Sequence, residues 1–263
     1  MTGGAVRIGT AGWSIPSRYL NEIPAGGTHL LRYARVLTVT EINSSFHRPH
    51  RVSTYERWAA SVGDDFRFCV KLPKALTHEG ALVTGASEVR DRFLAEVAGL
   101  GAKLAVLLVQ LPPSLAFDRR AARAFFSRLR ARAPASASIA CEPRHPSWRT
   151  AAVDELLSKL AVSRVAADPA RWEADARPGG DRRLAYFRLH GSPRLYFSTY
   201  EPERLEQLRH ALQSAARESD SVWCIFDNTA HGHALGNALW MQQALRTASR
   251  PASRSRRRSR GRN

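Results

Sequence analysis

Eight short apolar runs recur along the 263-residue chain, at residues 6–12, 37–44, 66–73, 104–111, 138–143, 162–168, 184–191 and 222–228. Each has the length of a strand and stops at polar or turn-forming residues. Between most of them lies a helical pattern. Ser53-Thr-Tyr-Glu56 reads as a capping box that opens a helix through Ser61. Ser87 opens a second helix, whose apolar face is Val89, Phe93, Leu94, Val97 and Leu100. Asp118 caps residues 119–130, and Thr150 opens 151–160. Pro202 stands in a first helical turn with Leu205, Leu208 and Leu212 behind it, and a last helix covers 234–248. Between Asp168 and Leu184 no helical period is found; Trp172, Pro178 and Gly179-Gly180 read as irregular loop.

Strands that alternate with helices predict βαβ units and a parallel sheet. Eight of them in this length predict an α/β fold, a TIM-like (β/α)8 barrel, lacking the one helix after strand 6. This domain takes residues 1–248. From 249 to 263 the chain is Arg/Ser-rich, with no apolar residue beyond Ala252, and a disordered basic tail is expected. No Gly-x-Gly-x-x-Gly follows the first strand, so a dinucleotide-binding sheet is not supported.

In a barrel alternate strand residues point inward, and sites gather where the strands end. The seventh run is the clearest case. Tyr186, Arg188 and His190 share one face, while Ala185, Phe187 and Leu189 face the other way. The same parity pairs Glu41 with Asn43 and turns Glu142 inward beside Ala140, with Cys141 facing the helices. Lys71 ends the third run, Gln110 the fourth, Asp168 the sixth and Asp227-Asn228 the eighth. Arg144, His145 and Trp148 follow Glu142 in a Pro-bounded loop and are expected on the rim. Seven of the nine histidines (47, 50, 78, 145, 190, 231 and 233) lie at a strand's end or in the loop after it, so one face should be crowded with imidazoles.

Charge adds a partner question. The formal net charge is +17, and it falls to +10 without the seven arginines of residues 250–262. That invites nucleic acid. Only four of the 40 basic residues are Lys, however, and such an Arg excess beside abundant Ala also fits a GC-rich coding bias. No apolar run approaches the ~18 residues of a spanning helix. The start, Met1-Thr-Gly-Gly, lacks a basic-then-apolar secretory pattern. A cytoplasmic protein without a membrane partner is expected. Cys69, Cys141 and Cys224 stand far apart inside apolar runs and read as reduced, packed thiols.

Seven motifs, in order, resemble the YecE-like proteins, a domain-of-unknown-function family. They are Gly9-Thr-Ala-Gly-Trp-Ser14, Glu41-Ile-Asn-Ser-Ser-Phe46, Lys71-Leu-Pro73 with Thr77-His78, and Gln110-Leu-Pro-Pro113. They continue with Glu142-Pro-Arg-His-Pro-Ser-Trp148, Tyr186-Phe-Arg-Leu-His-Gly191, and Asp227-Asn-Thr-Ala-His-Gly232 with Asn237-Ala238. The resemblance spans residues 6–245 and implies a TIM-barrel-like fold, but it supplies no settled reaction. The chain departs from the family pattern at His47, usually Tyr, and at Asp227, usually Asn.

The residues themselves point to an anionic substrate, phosphate-bearing, nucleic-acid or carbohydrate-like. Glu142 is the expected acid/base, with Arg188 and Lys71 neutralising charge, His190 moving a proton and Glu41 beside them. Asn43, Gln110, Arg144, His145, Trp148, Tyr186, Asp227, Asn228 and Gly232 are the expected substrate contacts. Gly232 belongs to a loop before the last helix where barrels often hold phosphate. A closed internal ion network is the competing reading of Glu142, Arg188 and His190. Trp13, Trp148 and Trp172 could stack on a base or sugar, or lid the core. Hydrolysis of a phosphoester or nucleic acid comes first, a sugar-phosphate-type isomerase or lyase second. A non-catalytic nucleic-acid-binding protein is the alternative outside enzymes. No cofactor is expected. A divalent metal is the lesser alternative, because no His-x-His or His-x-x-x-His pair projects from an expected helix or strand.

Overall fold

The computed structural model describes residues 4–80, 82 and 87–248. The expected tail lies outside the described residues. Its strands are β1 (Ala5–Ala11), β2 (Val39–Ile42), β3 (Arg67–Lys71), β4 (Leu104–Gln110), β5 (Ser138–Glu142), β6 (Val162–Arg164), β7 (Ala166–Asp168), β8 (Gly179–Gly180), β9 (Leu184–Leu189) and β10 (Ser221–Phe226). They form one sheet in the order β7-β9-β10-β1-β2-β3-β4-β5-β6-β8. All pairings are parallel except that of β6 with β8.

The two halves of the sixth expected run close the barrel. β6 pairs with β5, β7 pairs with β9, and only Val165 lies between them. A closed sheet needs stagger between its strands, and a strand that changes partner midway supplies it. Gly9 permits the close approach of β1 to β2: a Cβ there would stand 2.2 Å from the Val39 carbonyl oxygen.

The helices are α1 (His29–Ala34), α2 (Ser44–His47), α3 (Val52–Ala60), α4 (Ser87–Val97), α5 (Arg119–Arg132), α6 (Ala151–Lys159), α7 (Pro202–Glu218) and α8 (His233–Ala248). Asp118 accepts from the Ala121 N–H at 2.7 Å and Thr150 from the Val153 N–H at 3.3 Å, as their positions before apolar-faced helices require. The capping box at Ser53 is not made. α3 starts at Val52, with Arg51 as N-cap without a side-chain bond, so Ser53 lies inside the first turn, two residues past the cap; the Thr54 N–H bonds the Arg51 carbonyl at 2.9 Å. After β7 the helix is missing, as expected. A 3-10 turn (Glu173–Ala176) and the two-residue β8 stand in its place.

Parity holds around the ring. An outer apolar layer between strands and helices takes Ile139, Cys141, Ala185, Phe187, Leu189, Val222 and Cys224. Inside the barrel lie Val39, Cys69, Val106, Leu108, Ala140, Val165, Leu184, Tyr186, Trp223 and Ile225. Tyr186 stacks on Trp223 with centroids 6.0 Å apart. Above this apolar plug the inward positions turn polar, and that is where the site begins. No described helix is long and apolar enough to cross a membrane.

Candidate active site

Four strands deliver charge to one point. β2 carries Glu41 and then turns through Asn43 into α2. β5 ends on Glu142, where Pro143 stops the ladder. β9 carries Tyr186 and Arg188 on its inner face, with His190 just beyond. Asp227 follows the last residue of β10.

Arg188 sits at the centre, with 1% of its surface exposed. Its Nε and Nη2 donate to the two Glu41 oxygens at 3.0 and 2.6 Å, a bidentate fork. Nη1 donates to Glu142 Oε2 at 2.5 Å, and Nη2 also to Asp227 Oδ2 at 3.0 Å. The Tyr186 hydroxyl donates to Glu41 Oε2 at 2.9 Å. The His190 ring bridges the other two carboxylates. Nε2 lies 3.0 Å from Glu142 Oε1, and Nδ1 lies 3.1 Å from Asp227 Oδ2. Arg144 adds Nε and Nη2 to Glu142 Oε1, at 3.2 and 3.0 Å.

Charges this close tune one another. Burial alone would raise the pKa of Glu142, but Arg188, His190 and Arg144 outweigh it and hold the acid well below the usual carboxylate range. Asp227 is lowered in the same way, burial opposing and Arg188 leading the attraction. Burial pushes His190 down, yet the Glu142 carboxylate and hydrogen bonds to Asp227 and Glu142 overcome it and leave its pKa raised. A ring with a carboxylate oxygen at each nitrogen is an imidazolium that donates both ways. The cluster therefore balances: three carboxylates face Arg188, Arg144 and protonated His190.

This geometry bears on two expected roles. Arg188 has no exposed fork with which to clamp a substrate; four of its donor contacts are already taken by protein carboxylates. Glu142 is held as an anion by three cations, so it does not carry a proton near neutral pH. Both take part in an internal ion network of the kind the competing reading describes, and an ionised Glu142 keeps the form of a base.

The neighbouring strand offers something different. Lys71, at the end of β3, is partly buried, and its Nζ stands 4.0 Å over the centre of the Phe46 ring. Among the described residues its ammonium has no ion-pair or hydrogen-bond partner, while its backbone carbonyl accepts from the Ser45 hydroxyl at 2.7 Å. Burial first, and the Arg188 cation second, push its pKa down to about 8, against the pull of Glu41, Glu142 and Asp227. His78, from the π-helical turn Ala75–Glu79, packs edge-on against the same Phe46 ring at 5.0 Å. Its Nδ1 lies 2.9 Å from Thr77 Oγ1, and its Nε2 lies 3.5 Å from the Gln110 amide nitrogen. His78 is one of the histidines expected near a strand's end, and Phe46 stands in a family motif, but neither was among the expected site residues. Which loop residue comes to rest on the Phe46 ring beside Lys71 depends on the path of the π-helical turn.

The remaining expected contacts scatter. Arg144 has 22% of its side chain exposed, and its Nη2 reaches to 3.5 Å from the Tyr196 hydroxyl, so it borders solvent. Tyr196 was not among the expected residues. His145 caps the 3-10 turn Pro146–Trp148 through Nδ1. Trp148 is not on the rim: it is fully buried, edge-on to Phe117 at 4.9 Å, with its indole N–H on the Leu115 carbonyl. That short turn swings the indole back into the core. Asn43 heads α2, and its Oδ1 is buried without a partner. Asn228 donates its amide to the Ser198 carbonyl and Asn237 Oδ1, both at 2.9 Å, while its Oδ1 is buried without a partner.

Around Gly232 three N–H groups of the loop are already used. The Gly232 N–H bonds the Thr229 carbonyl, and the Ala230 and Ala234 N–H groups are taken by Tyr196 and Asn228 carbonyls. The histidines do not gather. Only His190 reaches the carboxylates, while His50 bonds Ser44 and His231 pairs with His233 at 6.2 Å beside Arg18. Glu142, His190 and Asp227 come nearest to a ligand set, but their facing atoms are bound to one another and to guanidinium groups. Among the described residues no group of three or more His, Cys, Asp or Glu is arranged to hold a metal ion.

A family model described as "Protein of unknown function DUF72" matches residues 7–260, past the expected limit of 245. The UPF0759 protein YecE of Escherichia coli K12 is 29% identical over 168 residues, covering 62% of this chain and 59% of that protein. The chain thus spans about three fifths of the length of this curated relative. A DUF72 family protein from Enterococcus faecalis V583 superposes with a TM-score of 0.77 at 23% identity, covering 92% of this chain and 96% of that one. A sugar phosphate isomerase/epimerase from Parabacteroides distasonis superposes with a TM-score of 0.52 at 14% identity, covering 93% and 94%. These two likenesses establish a shared TIM-barrel-like fold.

Proposed function

Because the chain belongs to the DUF72 family, which is described only as of unknown function, its activity has to be read from the barrel mouth, and we propose that it is an enzyme acting on a small anionic, phosphate-bearing or carbohydrate-like substrate by proton-transfer chemistry. One observation carries this reading. The buried cluster is electrically balanced, and Lys71 remains beside it as an unpaired cation whose pKa of about 8 lies near neutrality. A surplus positive charge in a partly buried mouth draws an anion. A group that titrates near the working pH both takes and gives protons.

The roles follow from access. Lys71 meets the substrate, with His78 and Gln110 beside it. Arg144, at the solvent border, offers a second cation to a phosphate or carboxylate. Arg188, Glu41, Asp227, Glu142 and His190 hold the field and act as positioning residues. Isomerase or lyase chemistry is favoured over hydrolysis, since the titrating group is an amine and Glu142 is held ionised. The fold shared with a protein described as a sugar phosphate isomerase/epimerase agrees with a substrate of that size.

The test is binding. Calorimetry is run with inorganic phosphate, a triose phosphate, a pentose phosphate, a mononucleotide and an uncharged sugar. Phosphorylated probes bind and the uncharged sugar does not, and Lys71→Gln and Arg144→Gln each weaken the phosphate-bearing ligands. If none of the anions binds, or the two variants bind as the parent does, the reading is wrong. If only long nucleic acid binds, with a steep salt dependence, the non-catalytic alternative takes its place.

A further inference from the structure

We propose that Lys71 is a covalent site: its amine condenses with the carbonyl carbon of an anionic aldehyde or ketone to give an iminium, and His78 carries the protons. This rests on the mouth accepting a small anionic substrate, and it names that substrate's reacting group.

Three observations converge on Lys71. The chain has four lysines. Lys74 pairs with Glu79 at 3.0 Å, Lys159 pairs with Glu155, and Lys103 donates to the Ala59 and Val62 carbonyls and lies 3.9 Å from Asp64. Lys71 alone of the four has only an aromatic face under it, 4.0 Å away. Second, the strand end and the Phe46 ring hold the amine in one place, while partial exposure leaves it open to a ligand. Third, with a pKa of about 8, roughly a quarter of the amine is neutral at pH 7.5, against about a thousandth for an ordinary lysine. Only the neutral form has the lone pair that attacks a carbonyl.

His78 shares the Phe46 ring with Lys71, edge-on at 5.0 Å, and its hydrogen bonds fix its tautomer. The Thr77 hydroxyl donates to the Pro73 carbonyl at 3.3 Å, so its oxygen accepts from His78 Nδ1–H at 2.9 Å. Nε2 is then the lone-pair nitrogen, and the Gln110 amide faces it as donor, which agrees with that tautomer. Burial lowers the His78 pKa, followed by the Lys71, Arg144 and Lys74 cations, with Glu79 opposing. The ring is therefore neutral and able to accept a proton.

The step balances. The Lys71 lone pair forms the C–N bond, and the carbonyl π pair moves to oxygen. The nitrogen loses one proton to His78 Nε2 and the oxygen takes one from solvent, giving a neutral carbinolamine. His78 returns a proton to that hydroxyl, which leaves as water as the nitrogen lone pair closes the iminium. Amine, carbonyl and one proton become iminium and water, with nothing oxidised. The iminium acidifies the adjacent carbon, which is the chemistry an isomerase or lyase needs.

The experiment is reductive trapping on the full chain. Protein is incubated with a triose phosphate ketone, or with the corresponding phosphorylated polyol lacking a carbonyl, and treated with borohydride. Hydride adds to an iminium, so intact mass should rise by the mass of the ketone less one oxygen. Peptide mapping should place the adduct on Lys71. The polyol should give none, and Lys71→Arg, which keeps the cation, should lose it. His78→Gln should slow trapping about a hundredfold, with its melting temperature confirming that it folds. Absence of an adduct on parent protein that binds the ketone by calorimetry overturns the covalent site and leaves the anion-binding reading standing. Modification spread evenly over the four lysines also overturns it. If the ketone neither binds nor is trapped, both readings fall.

Discussion

Replacing Arg188 with methionine removes the one buried cation that touches all three mouth carboxylates. Methionine fills a similar volume, so packing changes little and the loss is electrostatic. Glu41 loses a bidentate partner at 2.6 and 3.0 Å, and Glu142 and Asp227 each lose a charged donor. Summing four charge-assisted bonds would overstate the effect, because the carboxylates keep Tyr186, His190 and Arg144. Removing one partner of a buried ion pair costs about 3–5 kcal/mol. At about 2–4 °C per kcal/mol for a chain of this size, the melting temperature should fall by about 6–20 °C at pH 7. The pH dependence separates charge from packing. Depressed carboxylates contribute stability that is present above their ordinary pKa values, 4.5 for Glu142 and 3.8 for Asp227, and is lost as pH falls through the folded values. Without Arg188 that depression shrinks. The gap between parent and variant should therefore be widest near neutrality and narrow as acid protonates the carboxylates. Urea melts across pH measure it, and adding Glu41→Gln to the variant should recover part of the loss. A variant within about 1 kcal/mol of the parent at neutral pH, with no pH trend, would refute the reasoning.

Lys71 should be acetylated in a competitive-labelling titration with a midpoint near 8; a midpoint at the ordinary lysine value of about 10.4 removes the basis of its assigned role. The raised pKa of His190 contributes stability that is complete below its ordinary 6.5 and is lost as pH rises through the folded value. His190→Gln should therefore differ most from the parent on the acid side of 6.5 and converge with it at alkaline pH, in denaturant melts; a constant difference would mean the ring is neutral throughout. Trp148→Ala should cost about 3–5 kcal/mol, as a fully buried indole does, whereas the 43%-exposed Trp172→Ala should cost less than about 1 kcal/mol, its contact being a cation–π stack with Arg149. Equal, small losses would return Trp148 to the rim.

The barrel was legible because strand periodicity survives in single residues. Tyr186, Arg188 and His190 alternate with Ala185, Phe187 and Leu189, and the folded strand keeps that division. The meeting of Glu142 with Arg188 and His190 followed from parity and strand ends. What parity cannot supply is stoichiometry. Whether Arg188 faces a ligand or three carboxylates depends on how many acids converge on it, and those acids come from β2, β5 and β10. Loop geometry was equally hidden. The 3-10 turn after Pro146 sends Trp148 inward, and the π-helical turn after Pro73 lays His78 against Phe46. Neither conformation leaves a spacing signal that hydrophobic periodicity can read. Cys141 was placed correctly on the helix side, where burial raises its thiol pKa and keeps it inert.

The balanced network and the unpaired amine act as one device, and the link between them is testable. Buried ion clusters are weak stabilisers compared with well-packed apolar side chains, so their value here lies in fixed orientation. Burial is the largest cause of the low Lys71 pKa, and the Arg188 cation is the next. The three carboxylates pull the other way, but their charge is already committed to Arg188, Arg144 and His190. Arg188→Met would remove the repelling cation and free the attracting anions in the same change. Both effects favour the ammonium form, so the Lys71 midpoint should move up from about 8, and reductive trapping at pH 7.5 should slow in proportion to the lost neutral amine. Competitive labelling of the folded variant reads the first and borohydride trapping the second. A midpoint that stays where it was would mean that burial alone sets it, and that the cluster, however tightly built, is merely structural to the amine beside it.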